Sequence, residues 1–591
     1  MTAVGAPRRG RCAGVLVGVA APEGSVVERA WGARRLASAG LRLAEPSGLV
    51  RPAGIVLGVA ILVPVVVCAA LLPTLLVAQP PGQEPPKSRR PAWRSTLELP
   101  KDLWHDVTAE TIGTTAEWTN KVELADVDGD GRVDILFANG GDYERAGTPV
   151  PSRVFRNVAT GKWPEITTQV FGDALFLARV IKVRDVDGDG YVDVFVGTTF
   201  QTQSRLFRGL GGGRFVDATT THLPATLRSI GDVEFGDVDG DGDLDLVLAD
   251  WGEGSPMKNA GAPPLLWRND GGRFVDAGAA AMPAWAVRFC WELELLDVDG
   301  DFDLDLLASS KRSPGSFLAH NDGTGRFVDA TAQLPQFTNN YEFEAMDLDG
   351  DAVLDVVTIN DGKGEQRFAE HVFRGDGKGG FVDVTNDWWP VADNPRCDDN
   401  MVAFLDHDSD GDADFLIGSL DGPDRLLVND GKGHLRAGAP VITGDPTRGT
   451  LGIALADLDG DGRLDLVHAQ GEVANALHDV VCFGKSLAKD TAPAAIGAFV
   501  LPAEVAVGAT VVVQVRVHDR KSPCMPHDWR QVVLRCRRGE QEQVVPLQWY
   551  GEFLWRANVP TSAAGAVEVV VEAVDAAGNV ARSPVRPLLV R

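Results

Sequence analysis

The sequence predicts an all-β chain: a seven-bladed β-propeller followed by an Ig-like β-sandwich, with one apolar N-terminal transmembrane or signal helix ahead of both. Three observations carry this. An aspartate nonamer recurs seven times, at intervals of 59, 52, 60, 50, 59 and 51 residues, and a fixed period of this length marks a repeat architecture. Short strand-like runs bounded by turn residues fill each interval. From Thr491 onward the nonamers stop, and runs such as Val511-Val-Val-Gln-Val-Arg-Val begin.

The nonamer reads D-x-D-x-D-x-x-x-D. Its carboxylates are Asp126, Asp128, Asp130 and Asp134; Asp185, Asp187, Asp189 and Asp193; Asp237, Asp239, Asp241 and Asp245; Asp297, Asp299, Asp301 and Asp305; Asp347, Asp349, Asp351 and Asp355; Asp406, Asp408, Asp410 and Asp414; Asp457, Asp459, Asp461 and Asp465. A tight loop can turn positions 1, 3 and 5 inward, while the position-7 carbonyl and the position-9 carboxylate close the shell. Such an all-oxygen cage suits calcium, a hard cation taking about 6–8 oxygen ligands. Magnesium prefers a stricter octahedron, and zinc lacks its nitrogen and sulfur ligands here. Without a cation, four crowded carboxylates would repel one another. A solvated Asp-Gly turn explains one copy, but not seven in one phase.

No position-12 glutamate follows, as an EF-hand would require, and the residues after position 9 are strand-like (Ile135-Leu-Phe, Leu246-Val-Leu). The loop therefore joins two strands. Up to seven structural calcium ions are expected. Glycine fills position 6 in five copies, but Phe302 and Ala352 stand there in the fourth and fifth. If that position needs positive φ, a side chain there costs strain, so the sites at 297–305 and 347–355 are expected to be weaker.

Between nonamers the chain repeats again. A second apolar run ends in a turn (Leu265-Leu-Trp-Arg-Asn-Asp-Gly, Arg425-Leu-Leu-Val-Asn-Asp-Gly), and then comes Phe215-Val-Asp-Ala-Thr or its echoes at Phe274, Phe327 and Phe381. Four short antiparallel strands per unit are the content of a propeller blade. The seventh unit lacks the last strand, and Trp104-His-Asp-Val-Thr108 stands alone before the first nonamer. This piece is expected to complete the last blade and hide two sheet edges. In the first and sixth units the fourth strand has no clean copy.

The nonamers resemble the calcium loops of the FG-GAP/VCBS repeat family, which includes the integrin α-subunit propeller. The resemblance covers about residues 101–488. It implies a seven-bladed propeller with calcium at the blade loops, in extracellular or envelope proteins that bind partners. The Gly-Ala-Pro half of the FG-GAP name has no regular counterpart here, so integrin-like ligand recognition is not implied.

The remainder falls into four parts. Residues 1–53 form a cytoplasmic or disordered tail, which a translation start near Val50 would remove. Gly54 to Ala78 is a 25-residue stretch without charge, long enough to span a bilayer. Eight arginines against three glutamates in residues 1–51 place that flank in the cytoplasm. The segment reads as a signal-anchor, which its length favours, or as a signal peptide cut after Ala78. Residues 79–100 read as a Pro-rich linker, and residues 489–591 as an Ig-like β-sandwich. The working part then faces outward, either membrane-anchored or secreted.

Composition narrows the function. With 56 Lys+Arg against 83 Asp+Glu and a net charge of −27, the chain lacks the basic face that a nucleic acid needs. Seven cysteines without a CxxC pair do not support zinc ribbons or thioredoxin chemistry. Cys524 and Cys536 either bridge two strands in an oxidising compartment or stay free. No H-E-x-x-H, G-x-S-x-G or P-loop motif is present, and no catalytic residue is assigned. Glu123, Lys182, Glu234, Glu294 and Glu344 stand three residues before a loop. They either line the central channel as an acidic binding site, face a solvated channel, or support the loops through hydrogen bonds. Trp251 and Trp388-Trp389 either stack on sugars or pack between blades.

The expected function is a non-catalytic, calcium-binding cell-surface binding or adhesion protein whose partner is an extracellular or envelope protein, or a glycan. The alternatives are a carbohydrate-binding protein or polysaccharide-active enzyme using the propeller face, and a purely structural scaffold.

Overall fold

The structure is a computed structural model describing residues 97–591, apart from short segments at 142, 255–257, 313–314, 361–367, 421, 423, 439–441, 443–446, 448 and 472–476. The tail (1–53), the apolar segment (54–78) and the linker up to residue 96 lie outside the described residues. Among the described residues, no helix is long and apolar enough to cross a membrane.

Seven small antiparallel sheets follow the seven nonamers. In each, the strand entering the loop pairs with the strand leaving it: 119–125 with 134–139, 178–184 with 193–198, 230–236 with 245–250, and 293–296 with 305–308 in the first four. The last three pair 340–346 with 355–360, 399–405 with 414–419, and 450–456 with 465–470. The entering strands touch one another in sequence, and the last touches the first, which closes a ring. These strands are thus innermost, as a propeller requires.

Five blades build third and fourth strands from their own unit. In the sixth, Arg436–Gly438 supplies the fourth strand despite its divergent sequence. The first blade has three strands, and its Phe155↔Glu165 contact is a single bridge. The seventh blade is completed from the other end of the propeller: Trp104–Asp106 pairs with Val480–Gly484 in the register Trp104↔Gly484, His105↔Phe483, Asp106↔Cys482. Trp104 is fully buried, and its indole N–H donates to the Leu464 carbonyl at 2.8 Å. Closure removes the exposed edge that the last blade would otherwise present.

Apolar side chains of the strands interlock between blades and form the core clusters. Trp251, Trp388 and Trp389 belong to this packing, so the aromatic residues considered for sugar stacking are buried instead.

After the last blade, two sheets face each other around a core that includes Val513, Val515, Val517, Leu534, Val569 and Val571. One sheet orders its strands as 495–496, 512–518, 554–558 and 548–551. The other runs 504–505, 586–590, 565–575, 529–538 and 541–546, and its first pair is parallel. Strand Val512–His518 alternates: Val513, Val515 and Val517 enter this core, leaving Gln514, Arg516 and His518 on the opposite face. Cys524 and Cys536 are separate buried free thiols.

Candidate metal centres

Each nonamer folds the same way, because its carboxylates are hydrogen-bond acceptors for its own backbone. In the first loop, Asp126 Oδ1 accepts from the N–H groups of Gly129 (2.7 Å) and Asp130 (3.1 Å), and Oδ2 accepts from Gly131 N–H (2.8 Å). Asp347 and Asp457 repeat the pattern. The tight turn needs left-handed backbone at position 6. There φ is 85° at Gly131 and 87° at Gly190, and it remains 69° at Phe302 and 67° at Ala352. The strain expected from the two substituted loops is therefore present, at about 1 kcal/mol each.

Position 9 has a role that the sequence did not reveal. The Asp134 carboxylate accepts from Val127 N–H at 3.1 Å within its loop and from Asn157 N–H at 2.8 Å on the third strand. Asp193, Asp245, Asp305, Asp355, Asp414 and Asp465 each make the same two bonds, at 2.7–3.2 Å. This carboxylate ties the loop to its own blade with or without an ion.

Asparagine at the third-strand turn then ties one blade to the next. The side-chain amides of Asn157, Asn269, Asn321 and Asn429 donate to the carbonyls of Leu458, Val186, Val238 and Leu348, each at position 2 of the preceding blade's loop, at 2.7–2.9 Å. The Asn-Asp-Gly signature had pointed only to a hairpin turn.

The oxygen donors do converge. Asp126, Asp128 and Asp134 (positions 1, 3 and 9) present ligand atoms within 4.8 Å of one another, as do Asp185, Asp187 and Asp193. An all-oxygen set of this kind fits calcium. Convergent sets also include Asp299, Asp305 and His320 at the fourth loop, and His407, Asp408 and Asp414 at the sixth. Those two sets include imidazole, and His407 Nδ1 lies 2.5 Å from Asp414 Oδ2. Basic side chains on the third strand moderate the repulsion expected among the carboxylates. Arg156 is 3.6 Å from Asp128, Arg268 is 3.2 Å from Asp239, Arg374 is 2.6 Å from Asp349, and Arg208 pairs with Asp187.

Burial pushes five of the position-9 carboxyls up in spite of their two N–H donors: Asp193 to about 6, Asp134 and Asp245 to about 7, Asp355 and Asp465 to about 8. Folding thus raises these groups above the ordinary value of about 4. The stability that they contribute is full below that value and is lost as pH rises through about 6 to 8. The metal-free chain should melt at a higher temperature near pH 5.5 than near pH 8, and bound cation should flatten that slope. A metal-free melting temperature that climbs over this range would contradict the assignment.

The residues preceding the loops do not form an open acidic site. Glu123 pairs with Arg184 at 2.8 Å, Lys182 with Glu234, and Lys121 with Glu292 on the fourth blade. Glu294, Glu342 and Glu344 are driven well above the usual carboxylate range, chiefly by burial. Away from the loops, Tyr143, Trp251, Phe289, Trp291 and Tyr341 converge in a buried aromatic cluster. Toward the loops, segment 521–525 of the sandwich closes over Glu123 and Ala454. The axis thus holds ion pairs together with a group of buried carboxyl groups, Glu294, Glu342 and Glu344, that face other carboxyls.

The sandwich rests on the loop face. Its Asp519–Trp529 segment roofs a cavity of about 890 Å³ whose floor includes Asp126, Asp128, Asp457 and Asp459, with Lys521, Met525, His527 and Trp529 above.

Comparison with known proteins gives an FG-GAP-like repeat family model matching residues 126–196, 185–248, 297–358 and 406–468. No curated protein matches the chain. Among solved structures, an engineered protein determined at 1.98 Å is 20% identical, with 21% of this chain and 24% of that chain covered and a TM-score of 0.14. The present chain thus spans about a quarter of that protein. The extracellular domain of the one-component system BT4673 from B. thetaiotaomicron is 10% identical over 80% of this chain and 69% of that chain, with a TM-score of 0.30. The plexin A4 extracellular region is 10% identical over 83% and 67%, with a TM-score of 0.35. All three scores lie below 0.5, so the fold rests on the strand pairing itself. The four matched segments are FG-GAP-like repeats, and together they hold all seven aspartate loops.

Proposed function

We propose that the chain is an exported binding or adhesion protein whose propeller carries structural calcium in its D-x-D-x-D-x-x-x-D loops. Residues 54–78 anchor it in a membrane, or cleavage after Ala78 releases it. The observation that carries this reading is the convergence of carboxylates at positions 1, 3 and 9 of the first and second loops. Buried carboxyl groups raised to about 7 at Asp134 and about 6 at Asp193 call for a compensating cation. The C-terminal sandwich is Ig-like. Two sheets packed on one apolar core, antiparallel apart from the short pair 504–505 with 586–590, support this reading. Calcium holds the loop tips, and the protein acts by binding rather than by catalysis.

A second reading, binding of a glycan, is supported by the cavity of about 890 Å³ under the sandwich. Its size and its place between two modules suit a small ligand, and Trp529 borders it.

The test compares capture of envelope proteins and binding to a glycan array, each with calcium and with chelator. Calcium-dependent capture of an extracellular protein with a silent array is the expected result. Array binding alone would transfer the function to the second reading. Polysaccharide turnover abolished by one carboxylate substitution would replace the non-catalytic reading altogether.

A further inference from the structure

The C-terminal sandwich meets the propeller through the outer face of one sheet, and the contacts follow the loops. Gln548 donates to the Gly242 carbonyl at 3.1 Å, the Tyr550 hydroxyl to the Phe302 carbonyl at 2.9 Å, Arg516 to the Ala352 carbonyl at 3.1 Å, and Arg520 to the Gly411 carbonyl at 2.5 Å. These acceptors are the position-6 carbonyls of four successive loops, the third to the sixth. The Asp237 N–H also donates to the Tyr550 carbonyl at 2.8 Å. The sandwich therefore reads the regular spacing of the loops as a docking surface.

Two of the loops receive more than a carbonyl contact. Arg556 forms an ion pair with Asp237, position 1 of the third loop. Arg516 reaches both the backbone carbonyl (2.8 Å) and the carboxylate (3.3 Å) of Asp297, position 1 of the fourth. Both guanidinium groups are largely buried, at 14% side-chain exposure, and their carboxylates are only 1% and 2% exposed. Asp237 also accepts from the N–H groups of Gly240 and Gly242, so the Arg556 guanidinium is the third donor on this carboxylate. Among the described residues, no side-chain cation pairs with position 1 in the other five loops. Arg268 and its equivalents on the third strands approach position 3 instead.

We propose that the third and fourth loops are arginine sockets for the sandwich and not cation sites, so that calcium is confined to the loops whose position-1 carboxylate is free of a guanidinium. This rests on the calcium reading of those remaining loops. A divalent ion on Asp237 or Asp297 would share a carboxylate with a buried guanidinium, and two cations a few ångströms apart in a poorly solvated junction repel strongly. The fixed positive charge supplies what the ion supplies elsewhere, and it also joins the two modules. In the fourth loop, Phe302 at position 6 fits this assignment, since its ring packs with the cluster that includes Tyr550 and Leu554.

The experiment counts calcium bound to the full chain by equilibrium dialysis with radiocalcium, supported by native mass spectrometry. Asp126→Asn should lower the count by one, whereas Asp237→Asn and Asp297→Asn should leave it unchanged. Arg556→Gln and Arg516→Gln should each raise it by one. A loss of one ion in Asp237→Asn or Asp297→Asn would overturn the proposal. A second measurement does not depend on calcium. With chelator present, proteolysis of the junction at residues 485–494 should be at least tenfold faster in the Asp237→Asn/Asp297→Asn double variant than in the parent chain, and equal rates would overturn the sockets. If no loop of the parent chain takes calcium, the calcium reading falls, and the proteolysis result alone decides the role of the arginines.

Discussion

Removing divalent cations should lower the melting temperature of this protein by on the order of 10 °C at neutral pH. Each ion held at a concentration about tenfold above its dissociation constant stabilises the folded state by about 1.4 kcal/mol, and extracellular calcium modules work with constants of roughly 0.1–1 mM. Five loops without a guanidinium at position 1 then contribute roughly 7 kcal/mol together, which for a domain of this size is a shift of that order. The charge argument agrees in direction, because buried carboxyls such as Asp355 and Asp465, raised to about 8, are ionised only at a cost unless a cation faces them. Calorimetry with calcium and with chelator makes the comparison. Superimposable melts would remove the structural ion from the account.

Asp355→Ala should be the most damaging single change in a loop, costing about 4 kcal/mol even without metal. Asp355 is fully buried, and it accepts from Leu348 N–H and Gly375 N–H, both at 3.0 Å. Truncation leaves two buried N–H groups without an acceptor, at about 1–3 kcal/mol each, and opens a cavity. Asp351, at position 5 of the same loop, is exposed, accepting from Val353 N–H and pairing at the surface with Arg374 at 2.6 Å. Asp351→Ala should therefore act only when calcium is present. Urea unfolding of both variants in chelator separates the roles. Equal midpoints would mean that position 9 is merely a ligand.

Much of the ring could be read from the residues because the aspartates and the turn residues are local signals. Spacing gave the number of blades, and the orphan Trp104-His-Asp-Val-Thr108 gave the closure, now seen pairing with Val480–Gly484. Position 6 was read from one missing atom, the Cβ that glycine lacks, and Phe302 and Ala352 do sit at positive φ. What escaped was long-range. Asn157 and Asn429 reach across to another blade, over 301 and 81 residues of sequence, and no local pattern shows the acceptor. Arg516 reads as one more residue of an alternating strand, and alternation does not say what its outward face covers. The glutamates before the loops were placed correctly near the axis. Glu123 and Glu234 meet Arg184 and Lys182 of other blades, whereas Glu294 and Glu344 are buried beside other carboxyl groups, and no local pattern separates the two cases.

The asparagine bridges also bear on how such a ring can be built or divided. The repeat that the eye finds in the sequence runs from one aspartate cluster to the next, yet in four places one N–H of a side-chain amide is met by the loop of the preceding unit, while at Asn157, Asn269 and Asn429 the amide also donates within its own unit. A single unit cut out of the circle keeps its own loop fastened but carries a donor with nothing to meet. The smallest piece that satisfies itself is therefore larger than the repeat, and a gene that gains or loses such units keeps its joints intact only when it moves them together with the neighbour that completes them.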